Sequence, residues 1–303
     1  MLQNIPALLD QLAQGNVKAL ARSISLVENE ATGYDQILFN LKNNTSTKVI
    51  GITGPPGAGK STLVNALIGQ VLERGLRIAV LAVDPSSPFN YGALLGDRIR
   101  MSAYYNHPDV YIRSLASRGA LGGLNPKIIE ITDVMRNGGY DYLVVETVGV
   151  GQSEVEIAGI ADTTVVVVVP EAGDEIQTMK AGVMEIANIF VVNKADRDNA
   201  DEFVRNLRIL AHYKASHDWE IPVVKAVATQ GTGAAELLDK IDAYHELPLQ
   251  QSLHKQVLLT EKVFQLIQAL RMKNIDKMAL RQALINALQS PDFNIYRFAA
   301  QYF

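Results

Sequence analysis

Apolar residues recur along the chain with two different periods, and the changes of period divide it into three parts. Over residues 1–47, Leu8, Leu12, Val17, Leu20 and Ile24 fall at helical spacing, and the polar run KNNTSTK separates them from the first strand-like run. This predicts an N-terminal helical extension packed on the core. Over residues 48–248, short apolar runs alternate with helical stretches, and strands are predicted at 48–53, 77–84, 110–115, 141–146, 163–169, 189–193 and 221–227. Such alternation defines an α/β fold whose sheet is largely parallel and doubly wound, with helices on both faces. The run TTVVVVVP at 163–170 is too short to cross a bilayer and reads as a central strand buried on both sides. Beyond HELP at 245–248, helical spacing returns through Leu253, Val257, Phe264, Ile267, Leu280, Leu284 and Leu288. Residues 249–303 are therefore expected to form a helical C-terminal arm, either folded back on the domain or serving as a dimerisation element.

Composition narrows the chemistry. A chain of 303 residues that is 48% hydrophobic can bury a full core. A formal net charge of -4 and the lack of any long Lys/Arg run argue against a nucleic-acid surface, so no nucleic-acid partner is expected. The absence of Cys removes disulfides, thiolate metal sites and cysteine nucleophiles. Five scattered His read as ordinary surface or core residues. The N-terminus carries acidic residues, little Arg and no cleavable apolar core, so a cytoplasmic protein with no membrane association is expected. No internal repeat or low-complexity tract is visible.

A parallel sheet binds its ligand at the carboxyl ends of its strands, where TGPPGAGKS, DPSS, ETVGVG and NKAD all fall. The first follows the pattern G-x-x-x-x-G-K-[ST], between a β-branched strand and an amphipathic helix. Gly54 and Gly59 let the backbone turn and bring its N–H groups close to an anion, and the helix starting near Lys60 points its positive end to the same place. The expected phosphate cradle is thus Gly54, Pro55, Pro56, Gly57, Ala58, Gly59, Lys60, Ser61 and Thr62. Lys60 is a point charge for the β and γ phosphates, and the Ser61 hydroxyl is a ligand for Mg²⁺.

The strand IFVVNKAD ends in Asn193, Lys194 and Asp196, an N-K-x-D turn. Guanine presents two donors, N1–H and the 2-amino group, which one carboxylate can accept; adenine has no such pair. This points to GTP. Asp196 discriminates, Asn193 orients it or contacts the base edge, and the Lys194 stem covers the ring. Backbone N–H groups of Ala228 and Thr229, in VATQGTG, are expected near the guanine oxygen.

Glu146 closes a buried strand where a P-loop enzyme needs an acid for the Mg²⁺ hydration shell, and Gly149 can offer an N–H to the γ phosphate. The next residue is Val150, where Ras-like enzymes carry a water-orienting Gln, so intrinsic hydrolysis is expected to be slow or to use another group. Asp84 and Asp97, flanking a segment broken by Pro85, Pro88 and Gly92, either hold Mg²⁺ waters, position the attacking water, or simply cap helices.

Together GPPGAGKSTL, VDPSSP, GDRIRM, ETVGVGQSE, GDEIQTMKAG and NKAD, with ALARSISLVEN upstream, resemble the MeaB/ArgK family of SIMIBI-class P-loop GTPases, related to the human methylmalonic aciduria type A protein. The resemblance spans about four fifths of the chain and implies a homodimeric, Mg²⁺-dependent enzyme that converts GTP to GDP and phosphate. It also implies a chaperone that loads and protects an adenosylcobalamin-dependent acyl-CoA mutase of the methylmalonyl-CoA type. It makes residues 173–182 a third switch, with Asp174, Gln177 and Lys180 as working residues, and so adds Lys180 to Lys60, Asp84, Asp97 and Glu146 as the expected catalytic set. The sequence departs from the family at Asn188, where an Asp is usual, and in the tail SPDFNIYRFAAQYF. Nickel-insertion GTPases share the implied fold but want His-rich or Cys ligands. Signal-recognition GTPases add a Met-rich domain, which seven Met do not supply. The alternative is a small-molecule or protein kinase of the ArgK transport-linked type.

Overall fold

The computed structural model describes residues 4–42, 44, 46–84, 101–116, 125–147, 156–172, 185–213, 219–247, 250–290 and 292–302. The chain divides into two compact units, Met1–Leu258 and Leu259–Phe303.

The first unit is built on seven strands: β1 (Lys48–Thr53), β2 (Ile78–Asp84), β3 (Val110–Ala116), β4 (Tyr142–Glu146), β5 (Thr163–Val168), β6 (Ile189–Val192) and β7 (Val223–Lys225). They pair in the order β3-β2-β4-β1-β5-β6-β7, every pair parallel. The chain leaves β1 toward β2 on one side and leaves β4 toward β5 on the other. These two adjacent strands therefore form the switch point where such sheets open a crevice for ligands.

The valine run of β5 shows why the apolar strands were unbroken in sequence. Val165 and Val167 join Ile50, Ile52, Leu63, Leu67 and Leu237 on one face of the sheet. Val166 and Val168 join Phe190, Phe203, Val204 and Leu207 on the other. A sheet covered on both faces has no solvent side, so alternation disappears. The first face is covered by α4 (Lys60–Glu73) and α7 (Ala234–His245), the second by α6 (Ala200–Tyr213). Asp242 of α7 fastens the first layer by accepting from Lys48 Nζ at 2.5 Å, Arg74 at 3.0 Å and the Tyr142 hydroxyl at 2.7 Å.

The strand expected at 221–227 is clipped to three residues. Pro222 has no N–H to give to a ladder, and Val227 turns away to pair with Thr232 in an isolated antiparallel bridge. The N-terminal extension resolves into α1 (Ile5–Ala13), α2 (Val17–Glu28) and α3 (Tyr34–Phe39). Asn4 and Asn16 cap the first two helices through their side-chain oxygens. Leu12, Leu20 and Ile24 are buried as their spacing predicts, whereas Val17, at the exposed first turn of α2, is not. Helix α2 packs on α5 (Ile128–Arg136).

Asn188 lies at the amino ends of β5 and β6, opposite the ligand end. Its Oδ1 accepts from Thr164 N at 2.7 Å, and its Nδ2 donates to the Tyr244 hydroxyl at 2.9 Å. This one side chain thereby joins the start of β5 to α7.

Helix α8 (Gln250–Met272) begins in the first unit and ends in the second, which continues with α9 (Lys277–Ala287) and α10 (Ile295–Ala299). Asp276 and Asn294 cap α9 and α10. The arm is helical as expected, and its apolar side chains stand in the open: Phe264 is 54%, Leu270 67% and Met278 73% exposed. No helix among the described residues is long and apolar enough to cross a membrane.

Candidate nucleotide site

The phosphate loop leaves β1 at Thr53 and enters α4 at Lys60. Two glycines make this path unique. Gly54 sits at φ 141°, and a Cβ there would stand 2.1 Å from the carbonyl oxygen of Val167. Gly59 sits at φ 85°, and a Cβ there would stand 2.3 Å from Asn193 Nδ2. Both conformations strain an L side chain, and at Gly54 the obstacle is backbone that cannot give way.

Lys60 is buried and folds back on its own loop, donating to Gly54 O at 2.8 Å and Pro55 O at 3.1 Å. Those carbonyl dipoles offer the ammonium the partial negative charge that a phosphate offers in full. Ser61, next along α4, donates its hydroxyl to Glu146 Oε1 at 2.6 Å. Both residues are buried, at the carboxyl ends of the two switch-point strands.

Hard oxygens in such a place suit Mg²⁺. Among the described residues no group of three His, Asp or Glu is available to hold a metal. Mg²⁺ nonetheless fits, because it commonly takes one or two protein oxygens and completes its octahedron with water and phosphate.

The N-K-x-D turn closes the other side. Asn193 is buried; its Nδ2 donates to Ala58 O at 2.8 Å, and its Oδ1 accepts from Ala228 N at 3.1 Å. It therefore ties the phosphate loop to the 228–230 turn. Ala228, expected at the guanine oxygen, thus lies on the same buried amide as the phosphate loop. Lys194 adopts a left-handed φ of 56°, a conformation that costs an L-residue on the order of 1–3 kcal/mol and persists where the surroundings fix it. Here Asn193 N bonds to Val168 O and Ala195 N to Ala226 O, pinning the chain on both sides of it. Asp196 is exposed at the tip of the turn, open to a base. The following residue, Arg197, pairs with Glu171 beyond β5.

The remaining expected residues divide in two. Asp84 ends β2, one strand from Glu146, with its side chain outside the described residues. Asp97, Gly149, Val150 and the segment with Asp174, Gln177 and Lys180 lie outside them altogether. Sequence reasoning did not single out Thr53 and Thr147, whose buried hydroxyls meet at 3.0 Å beside the loop. The available signal was a polar residue closing each of two apolar strand runs.

A glycine cradle on a helix N-terminus, with a carboxylate-bearing guanine-type turn tied to it through Asn193, defines a P-loop nucleotide-binding protein of the guanine-reading class. The family model described as Methylmalonyl Co-A mutase-associated GTPase MeaB matches residues 20–283, and the chain belongs to that family of GTPases. A protein of Pyrococcus abyssi named as a GTPase is 47% identical over 247 residues, covering 80% of this chain and 76% of that protein. GTPase ArgK of Escherichia coli is 35% identical over 241 residues, covering 75% of this chain and 72% of its own length. A crystal structure described as a LAO/AO transport system kinase superposes with a TM-score of 0.70 at 24% identity, over 100% of this chain and 98% of that one. At that identity the likeness is one of fold.

Proposed function

We propose that this GTPase is a Mg²⁺-dependent regulator of an adenosylcobalamin-dependent acyl-CoA mutase, coupling GTP hydrolysis to cofactor loading and to protection of the mutase. The observation that carries the nucleotide half is the Asn193 bridge, which hydrogen-bonds the base turn to the phosphate cradle and to the 228–230 turn. The mutase half is supported by the family to which residues 20–283 match.

In this reading the N–H groups of residues 57–62 and the positive end of α4 hold the phosphates. Lys60 exchanges its loop carbonyls for the β and γ phosphates. Ser61 and Glu146 hold the Mg²⁺ and its waters. Mg²⁺ supplies charge neutralisation on the phosphate oxygens. Asp196 accepts from guanine N1–H and the 2-amino group, and the Lys194 stem lies over the ring. Asp84 and Asp97 are assigned to metal waters or the attacking water, Gly149 to sensing the γ phosphate, and Thr229 to the base loop. Lys180, with Asp174 and Gln177, is assigned to signalling toward the mutase. The working compartment is the cytoplasm, and the working form is a homodimer joined through the exposed apolar face of the arm.

The test is association of the purified chain with an adenosylcobalamin-dependent acyl-CoA mutase from the same source, in GDP and in a non-hydrolysable GTP analogue. The expected result is a complex whose affinity differs between the two nucleotides, with mutase shifting nucleotide affinity by the same factor. No complex in either state contradicts the proposal. The fate of the γ phosphate separates the kinase alternative, which requires label on an acceptor rather than free phosphate.

A further inference from the structure

Glu146, the last residue of β4, and Thr147 just after it reach opposite ends of the phosphate loop. In register, Glu146 stands beside Ile52 of β1, on the α4 face of the sheet, and its carboxylate accepts from Ser61 just after the loop. The next residue, Thr147, extends the ladder by one bond, its N–H donating to Ile52 O at 3.1 Å. Alternation turns its side chain to the other face. That face also carries Gly51, where an added Cβ would meet Ile157 and Ala161, and Thr53, just before the loop. There the Thr147 and Thr53 hydroxyls bond at 3.0 Å, with 2% and 0% of these residues exposed.

We propose that Thr147 and Thr53 are positioning residues for the metal side of the site: their hydroxyl bond fixes the exit of β4 against the root of the phosphate loop and so holds the Glu146 carboxylate opposite Ser61. This rests on reading Ser61 and Glu146 as the Mg²⁺ groups. Shape alone does not require hydroxyls here: Thr147→Val fits beside Thr53→Ala, whereas two methyl groups cannot take the place of oxygens 3.0 Å apart. Replacing both partners of a buried hydrogen bond with apolar groups of like shape is nearly neutral for stability, whereas removing one leaves the other unpaired. A structural role and a positioning role therefore predict different behaviour in the double variant.

The experiment measures the Mg²⁺ concentration for half-maximal GTP hydrolysis, Mg²⁺-free GDP affinity and the thermal midpoint in the full chain. The variants are Thr53→Ala/Thr147→Val, Thr147→Val, Thr147→Ser and, as a control on the metal reading, Ser61→Ala. The double variant is expected to melt no lower than Thr147→Val and to keep GDP affinity while needing about fivefold more Mg²⁺, the equivalent of one hydrogen bond's net worth. Thr147→Ser, which keeps the hydroxyl, is expected to need the parental concentration. If the double variant does not fold, the Mg²⁺ shift of Thr147→Val against Thr147→Ser decides the matter. A parental Mg²⁺ requirement in the valine variants, with Ser61→Ala shifted, overturns this inference alone. An unshifted Ser61→Ala overturns the metal reading and the inference with it.

Discussion

Asp196 and Asn193 sit three residues apart in one turn, yet one is exposed and the other is bonded on both sides. Their substitutions should separate accordingly. Asp196→Asn is expected to shift preference from GTP toward xanthosine triphosphate, because xanthine offers a carbonyl where guanine offers an amino donor. Competition binding checks this, and unchanged GTP preference counts against the base assignment. Asn193→Ala removes two buried hydrogen bonds and leaves Ala58 O and Ala228 N without it. It is expected to cost about 1–3 kcal/mol of stability and to weaken GTP binding with no gain for xanthosine triphosphate. Urea unfolding and nucleotide titration read the two effects. At this scale the motif residues were legible because their spacing is local. The partners of Asn193 were not, since Ala58 and Ala228 lie 135 and 35 residues away in sequence and only the packed sheet brings them together. Thr53 and Thr147 escaped notice for the same reason, at a separation of 94 positions in sequence.

At the scale of elements, the passage from β1 through the loop into α4 depends on a backbone contact that no repacking can relieve. Gly54→Ala sets a methyl against the carbonyl of Val167 in the neighbouring strand and also strains φ. It is expected to lower the thermal midpoint and abolish nucleotide binding together, as read by calorimetry and by fluorescent GDP titration. The arm makes a contrasting prediction. Phe264 and Ile267, 54% and 44% exposed on α8, lose little in the monomer when made charged. Phe264→Glu/Ile267→Glu is therefore expected to leave nucleotide binding intact and yield monomers in sedimentation, if a second copy covers that face. The strands were legible because each is an unbroken apolar run. The ends of β7 were not, because Pro222 and the Val227–Thr232 bridge act through hydrogen bonds rather than hydrophobicity. The N-terminal spacing announced helix but not three helices; Gly15–Asn16 and Gly33 punctuate it, and the Asn16 cap fixes where α2 starts.

For the molecule as a whole, four half- or fully buried tyrosines share one direction of shift. Burial pushes the Tyr111 hydroxyl up to about 12 and raises those of Tyr140, Tyr142 and Tyr244; Tyr142 is raised further by its bond to Asp242. The folded state therefore holds these protons at pH values where the unfolded chain releases them. Stability from this source is complete below the ordinary tyrosine value near 10 and falls as pH rises above it. Denaturant midpoints followed through Trp219, which packs edge-on against Tyr244, are expected to drop from about pH 10 upward, and less steeply in Tyr142→Phe. The functional claim concerns a different property, the coupling of nucleotide state to a partner. The most direct measurement is the rate of phosphate release from GTP with and without a cognate adenosylcobalamin-dependent acyl-CoA mutase. Release is expected to be slow alone and faster with the mutase, and Lys180→Ala is expected to lose more of that acceleration than of the basal rate. A rate that mutase leaves unchanged, with no complex formed, contradicts the coupling.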